Sequence, residues 1–227
     1  MNANVIETGS HGNCVILEEI LALDMGVSWH KICGYRKALQ VVFVSHWHSD
    51  HFRLTTIGNL ARYRPQLRFC GGEFMVRKFF AAGVNPRNID VLELGKVSDY
   101  GAFQIEPVEL FHDVPNYGCK ITMNGEKACY FVDTGSLNGI TAKDYDLYLV
   151  EANHTRADIE KRAAEKMAAG LYSYEKRAAE YHLSFEQTTD WLVENMGKKG
   201  FWIPLHQHIE RGEKNAEQIP EGIDLHQ

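Results

Sequence analysis

The chain has no apolar run near the roughly 20 residues that a bilayer span requires, so no membrane-spanning helix is expected. Its opening residues, Met1-Asn2-Ala3-Asn4-Val5-Ile6-Glu7, carry neither the basic nor the apolar region of a secretory signal. It lacks any Cys-x-x-Cys pair. The five cysteines (Cys14, Cys33, Cys70, Cys119 and Cys129) are odd in number and scattered. That excludes a disulfide framework and suits reduced thiols in a cytoplasmic protein, with Cys14 and Cys119 as packing residues. An excess of basic charge is also missing. The formal net charge of −6 argues against broad, charge-driven coating of nucleic acid. A local basic rim remains open, because Arg53, Arg62, Arg64, Arg68, Arg77 and Lys78 crowd one segment. Repeats, low-complexity tracts and linkers are absent, which points to one domain spanning residues 1–227.

What is present is material for a large core. The chain is 44% hydrophobic and 11% aromatic over 227 residues. Alternation and β-branching predict strands at Asn13–Glu18, Ile20–Asp24, Val41–Ser45, Leu67–Cys70, Asp90–Leu94, Phe103–Phe111, Lys120–Met123 and Ala128–Val132. Asn124-Gly125 between the last two is a strong hairpin turn. Helices are expected at Leu54–Arg62 and Glu73–Ala82. The second half adds a buried strand, Leu147–Glu151, one helix over Arg156–Arg177 rich in Ala, Glu, Lys and Arg, and a helix at Ser184–Met196. Ser184 and Gln187 stand at capping-box spacing in that last helix. A final strand, Phe201–Leu205, precedes a polar tail.

The most informative stretch is His46-Trp47-His48-Ser49-Asp50-His51, which follows the apolar Val41-Val42-Phe43-Val44-Ser45. Four metal-ligating residue types lie within six positions, where an extended backbone begins to turn. Residues i and i+2 of an extended chain point the same way, so His46 and His48 can close on one ion. Asp50 and His51 lie beyond the bend and can reach a second. Imidazoles with carboxylate suit zinc, and three protein ligands with an open position describe a catalytic site.

His-x-His-x-Asp-His after a buried strand resembles the signature of the metallo-β-lactamase superfamily of binuclear metallohydrolases. The resemblance implies an αββα sandwich, which the order of strands and helices also fits. It further implies a lone His after a strand, an Asp in a strand-end Asp-Thr-Gly, and a last His after a late strand. His112 ends Phe103–Phe111 and precedes a Pro/Asn/Gly loop. Asp133 ends Tyr130-Phe131-Val132, where a buried carboxylate needs strong compensation; two cations bridged by it would supply that. His206 follows Phe201–Leu205, with His208 as the alternative last ligand. The expected metal set is therefore His46, His48, Asp50, His51, His112, Asp133 and His206, holding two zinc ions, with manganese as the alternative metal. Asp24 matches the superfamily's early Asp, which braces the His loop without binding metal.

Glu151-Ala152-Asn153-His154, then His182-Leu183-Ser184, then Leu205-His206 resemble the C-terminal pattern of the ribonuclease Z-like branch and its small bacterial and phage relatives. The resemblance makes His182 a catalytic proton donor, not a ligand. Asp50 is expected to serve both the metal and catalysis, and His154 to stand second to the ligands. The segment between Glu151 and His182 is too short for the long tRNA-gripping arm of ribonuclease Z. The landmarks of the lactamase and glyoxalase branches are missing. The implied activity is a phosphodiesterase acting through a metal-bridging hydroxide on a cyclic nucleotide or an RNA or DNA end. An ester- or lactone-type hydrolase using the same dimetal site is the alternative, and a non-catalytic metal-binding scaffold the reading from another class. The resemblance also admits a homodimer.

Overall fold

The computed structural model describes residues 1–207. The first strand, β1 (Ala3–Glu7), pairs antiparallel with β2 (Cys14–Leu17), which pairs antiparallel with β3 (Leu21–Leu23). Parallel pairing then extends the sheet through β4 (Val41–Phe43), β5 (Arg68–Gly71) and β6 (Ile89–Val91), in the order β1-β2-β3-β4-β5-β6. Helix α1 (Leu54–Tyr63) connects β4 to β5; a single 3-10 turn and α2 (Val76–Ala81) connect β5 to β6. Such crossovers are what parallel neighbours require.

The second sheet begins with the two-residue β7 (Ser98–Asp99) and continues through β8 (Phe103–Leu110), β9 (Asn116–Met123) and β10 (Glu126–Phe131) as an antiparallel meander. Asn124 and Gly125, at φ of 54° and 84°, make the β9–β10 turn, and left-handed backbone at both positions is the demand of a type I′ hairpin. Strand β11 (Leu147–Glu151) adds in parallel to β10. After α3 (Arg156–Ala168), α4 (Glu175–Tyr181) and α5 (Phe185–Asn195), β12 (Phe201–Leu205) adds in parallel to β11.

Three apolar clusters separate four layers. Leu17, Leu23 and Phe43 of the first sheet meet Ile105, Ile121, Tyr130 and Leu149 of the second. On the outer face of the first sheet, Ile57, Leu60 and Phe79 from α1 and α2 cover Ile16, Val42 and Phe69. On the outer face of the second, Leu192 and Met196 cover Phe131, Tyr148, Val150 and Trp202. Helix, sheet, sheet, helix is the expected αββα sandwich. No helix among the described residues is long and apolar enough to cross a membrane.

The departures from expectation are local. The helix expected over Arg156–Arg177 is two helices, because Gly170 (φ 67°) adopts the left-handed conformation just after the Ala169 cap and ends α3. Its strong helix formers masked a C-terminal glycine signal. The strand expected at Asp90–Leu94 is Ile89–Val91, and Lys120–Met123 extends back to Asn116. Strands β1 and β7 were not expected; both are short edge strands with half-polar sequences. The capping box of α5 is formed: the Ser184 hydroxyl accepts from Gln187 N at 3.2 Å, and Gln187 Oε1 accepts from Ser184 N at 2.9 Å. Ser184→Ala should therefore cost about 1 kcal/mol of folding free energy, measured as a lowered midpoint of urea unfolding with unchanged slope.

Candidate metal centre

Strands β8, β10, β11 and β12 run in one direction, so their C-terminal ends lie along one edge of the second sheet. The next residues on that edge include His112, Asp133, Glu151 at the end of β11, and His206. The C-terminal ends of β3 and β4 face them from the first sheet and carry Asp24 and the loop His46–His51. Asp24, Asp133 and His206 all have left-handed φ, at 59°, 55° and 53°. Non-glycine residues seldom adopt that backbone, and when they do it is often at functional sites. Here it turns the chain sharply at the sheet edge.

All seven residues of the expected ligand set come together, in two groups that share Asp133. In the first, His46 Nε2 lies 3.0 Å from His48 Nδ1, which lies 3.4 Å from His112 Nε2. Asp133 Oδ2 is 3.5 Å from His46 Nε2 and 3.7 Å from His112 Nε2. In the second, His51 Nε2 is 3.1 Å from Asp133 Oδ2 and 3.6 Å from Asp50 Oδ2. His206 Nε2 is 3.3 Å from Asp133 Oδ1 and 3.5 Å from Asp50 Oδ2. Four donors around a tetrahedral ion with bonds of about 2.0–2.1 Å would stand about 3.3–3.4 Å apart. These spacings match that edge length.

The unpaired atoms carry the same implication. Asp133 Oδ1 and His206 Nε2 are buried and have no hydrogen-bond partner, although they face each other. Burial holds His46 well below the usual histidine range, and His112 down to about 4, although Asp133 and Asp113 oppose the latter shift. Neutral rings offer the lone pairs that a metal needs. Donor type, spacing and unpaired atoms all fit a pair of transition-metal ions.

Around the donors lies a supporting shell. Asp24, fully buried, accepts from Ser45 N at 2.7 Å, from the Ser45 hydroxyl at 2.9 Å and from the Tyr130 hydroxyl at 2.7 Å. Its Oδ2 also lies 2.6 Å from His51 Nδ1, orienting that ring so that Nε2 points at the second group. This is the bracing role that the superfamily resemblance implied for it. The loop is anchored through its backbone too. Asp50 O accepts from Asn13 N at 2.6 Å and His51 O from Met25 N at 2.9 Å. Gly26 passes so close that a Cβ there would lie 1.7 Å from Asp50 O.

His182 follows α4 and stacks on His206, with ring centroids 4.9 Å apart and planes 9° from parallel. Its Nδ1 lies 2.9 Å from Glu151 Oε2, and Glu151 Oε1 accepts from Thr134 N at 2.5 Å. Burial disfavours the imidazolium, but the Glu151 carboxylate outweighs it and lifts His182 to about 9. His182 and Glu151 also form a third donor group with Asp133 and His206, although in this arrangement His182 Nδ1 is occupied by its carboxylate partner. Glu151 is a functional candidate that sequence reasoning passed over. Its signal was a carboxylate ending a strand of uninterrupted apolar residues, the same signal that exposed Asp133. Asp113, beside His112, was also missed and carried no comparable signal. His154 is buried at an isolated bridge to Ser184, with Nδ1 3.3 Å from Asn153 Oδ1, and it belongs to none of the donor groups. Asn153 in turn donates through Nδ2 to the His206 carbonyl at 2.9 Å, so this loop supports the last histidine. His208, the alternative last ligand, lies outside the described residues.

No protein-family model and no curated protein matches the chain. Solved structures do. A metallo-β-lactamase fold protein from Bacillus subtilis, YhfI, superposes with a TM-score of 0.69 at 18% identity, over 92% of this chain and 86% of that one. The chain has the metallo-β-lactamase fold. The short form of human tRNase Z matches with a TM-score of 0.66 at 16% identity, covering 91% of this chain and 92% of its own. A diphosphatase of the PhnP family matches with a TM-score of 0.62 at 12% identity, over 90% and 86%. This metallo-β-lactamase fold thus places its donors where the edges of the two sheets meet.

Two measurements check the centre. Elemental analysis of zinc-reconstituted protein should find about two ions per chain. His206→Ala should lower that number, while His182→Ala and His208→Ala should leave it nearly unchanged; a one-ion wild type would contradict the paired arrangement. Asp24→Asn should weaken metal affinity by about 10- to 100-fold, the usual effect of losing a partner that orients a ligand, read by chelator competition. Unchanged affinity would show that Asp24 serves folding alone.

Proposed function

We propose that this chain is a binuclear, zinc-dependent phosphodiesterase acting on a nucleotide or nucleic-acid substrate. The observation that carries the reading is the Glu151–His182 pair standing directly beside two donor groups that share Asp133. His46, His48, His112 and Asp133 would hold one ion, and Asp50, His51, His206 and Asp133 the other. When bound, such ions supply a water acidified towards neutrality and positive charge that offsets the phosphoryl oxygens.

The chain's own residues do the rest. Asp24 keeps the His51 ring oriented, and the Ser45 hydroxyl, 3.0 Å from His46 Nδ1, does the same for its neighbour. Glu151 takes the Nδ1 side of His182 and favours its protonated form. That leaves the Nε2 proton for the leaving alkoxide, the step in which a phosphodiester most needs an acid. A carboxylate-held imidazolium has no comparable task in opening an activated ester or lactone. Two of the similar structures, a tRNase Z and a diphosphatase, are phosphoryl-processing proteins by name, which supports the phosphodiesterase assignment. The net charge of −6 favours a small nucleotide over a long polyanion.

His182→Ala should retain its metals and lose about 10²- to 10⁴-fold in rate on a natural-type diester. The loss should shrink on a nitrophenyl diester, whose leaving group departs without a proton. Parallel assays on cyclic nucleotides, short RNA and DNA, and bis(p-nitrophenyl) phosphate decide it. Equal losses on both kinds of diester would remove His182 as the acid. Turnover of esters or lactones without any diester would remove the phosphodiesterase assignment.

A further inference from the structure

Asp113 presents a charge problem. Its Oδ1 is buried, has no hydrogen-bond partner, and lies 3.0 Å from His112 Nε2 and 3.6 Å from His48 Nε2. It is not part of any of the three donor groups. A carboxylate at that position would repel an anionic substrate reaching the first group unless a cation accompanied it. Arg177 is that cation: its Nη2 pairs with Asp113 Oδ2.

Arg177 comes from α4, and α4 is seated firmly. Tyr181 stacks on Phe111, with centroids 5.8 Å apart at 23°, and meets His112 edge-on at 5.9 Å. The Glu180 carbonyl packs onto Gly135, two residues beyond Asp133, where a Cβ would lie only 2.0 Å from it. The same helix therefore rests on residues flanking both His112 and Asp133. Its guanidinium stands beside the first donor group with the side chain 63% exposed, against 14% for Asp113. A guanidinium has five N–H donors in a planar fork, and Asp113 engages it through Nη2 alone. Further donors are left facing solvent at the site, in the geometry that matches phosphate oxygens.

We propose that Asp113 and Arg177 form a phosphate-recognition subsite, in which Arg177 binds a non-bridging oxygen of the substrate phosphoryl group and Asp113 fixes its position. This deepens the phosphodiesterase reading and rests on it. The ligand class is a phosphate mono- or diester, with inorganic phosphate as the minimal form.

The test uses the zinc-reconstituted full chain with Arg177→Ala, Arg177→Lys and Asp113→Asn. Binding of inorganic phosphate is measured by calorimetry, and KM and kcat on bis(p-nitrophenyl) phosphate. Arg177→Ala should weaken phosphate binding and raise KM by about 10- to 100-fold, the usual effect of a lost charge-assisted hydrogen bond, with kcat and metal content nearly unchanged. Arg177→Lys should recover part of the loss, and Asp113→Asn should fall between them. A fall in kcat with KM unchanged would make Arg177 a mere brace for α4 and His182, and unaltered phosphate affinity would remove it from recognition; either overturns the proposal. Calorimetry needs no turnover. A wild type that binds phosphate through Arg177 yet cleaves no diester would therefore count against the reaction assigned above and leave the subsite standing.

Discussion

The structure turns on one buried carboxylate. Asp133 is 2% exposed and sits among His46, His51, His112 and His206, all within 3.7 Å of one of its oxygens. Burial alone would push its carboxyl up, but His206 and His51 hold it well below the usual carboxylate range. An unpaired charge in such a place would be strongly destabilising. The histidines face Asp133 because strand ends of both sheets deliver them there. The packing of the two sheets and the electrostatics of the centre therefore constrain each other. Sliding one sheet along the other would separate Asp133 from His46 and His51 and leave a buried charge without compensation.

A second constraint surrounds the first. Asp24 joins Ser45, Tyr130 and His51, and so links β3, β4 and β10 through a single side chain. Tyr130 belongs to the second sheet, which makes Asp24 a polar tie across an otherwise apolar interface. Glu151 plays a parallel part on the other side, joining Thr134 and His182. Both carboxylates are fully buried, and each is committed to hydrogen bonds. The centre is thus held by a frame of acidic residues that position rings and backbone without entering the two seven-residue donor groups.

The C-terminal helices complete the site from outside the sheets. The turn at Gly170 lets α4 fold back, and Tyr181, Arg177 and then His182 arrive over the edge where Phe111 to Asp113 wait. A single straight helix over Arg156–Arg177 would have carried those side chains away from the edge. One left-handed glycine is therefore what brings the acid candidate and the cation to the metal side.

Much of this was readable in the chain. The six residues from His46 to His51, a hairpin at Asn124-Gly125, and apolar strands ending in Asp133 and His206 state their chemistry locally, because strand periodicity and ligand spacing are properties of neighbouring residues. Glu151 could have been read by the same logic as Asp133 and was passed over. Asp113 and Arg177 could not: 64 residues separate them, each is ordinary in its own segment, and only the seating of α4 makes them partners. The same holds for the division into two donor groups and for the support of His51 by Asp24 across 27 residues. Sequence determined which residues could serve and which way each strand would face, since local spacing governs both. Tertiary structure alone decided which of them meet, because only the packing of two sheets edge to edge brings distant strand ends within a few ångströms.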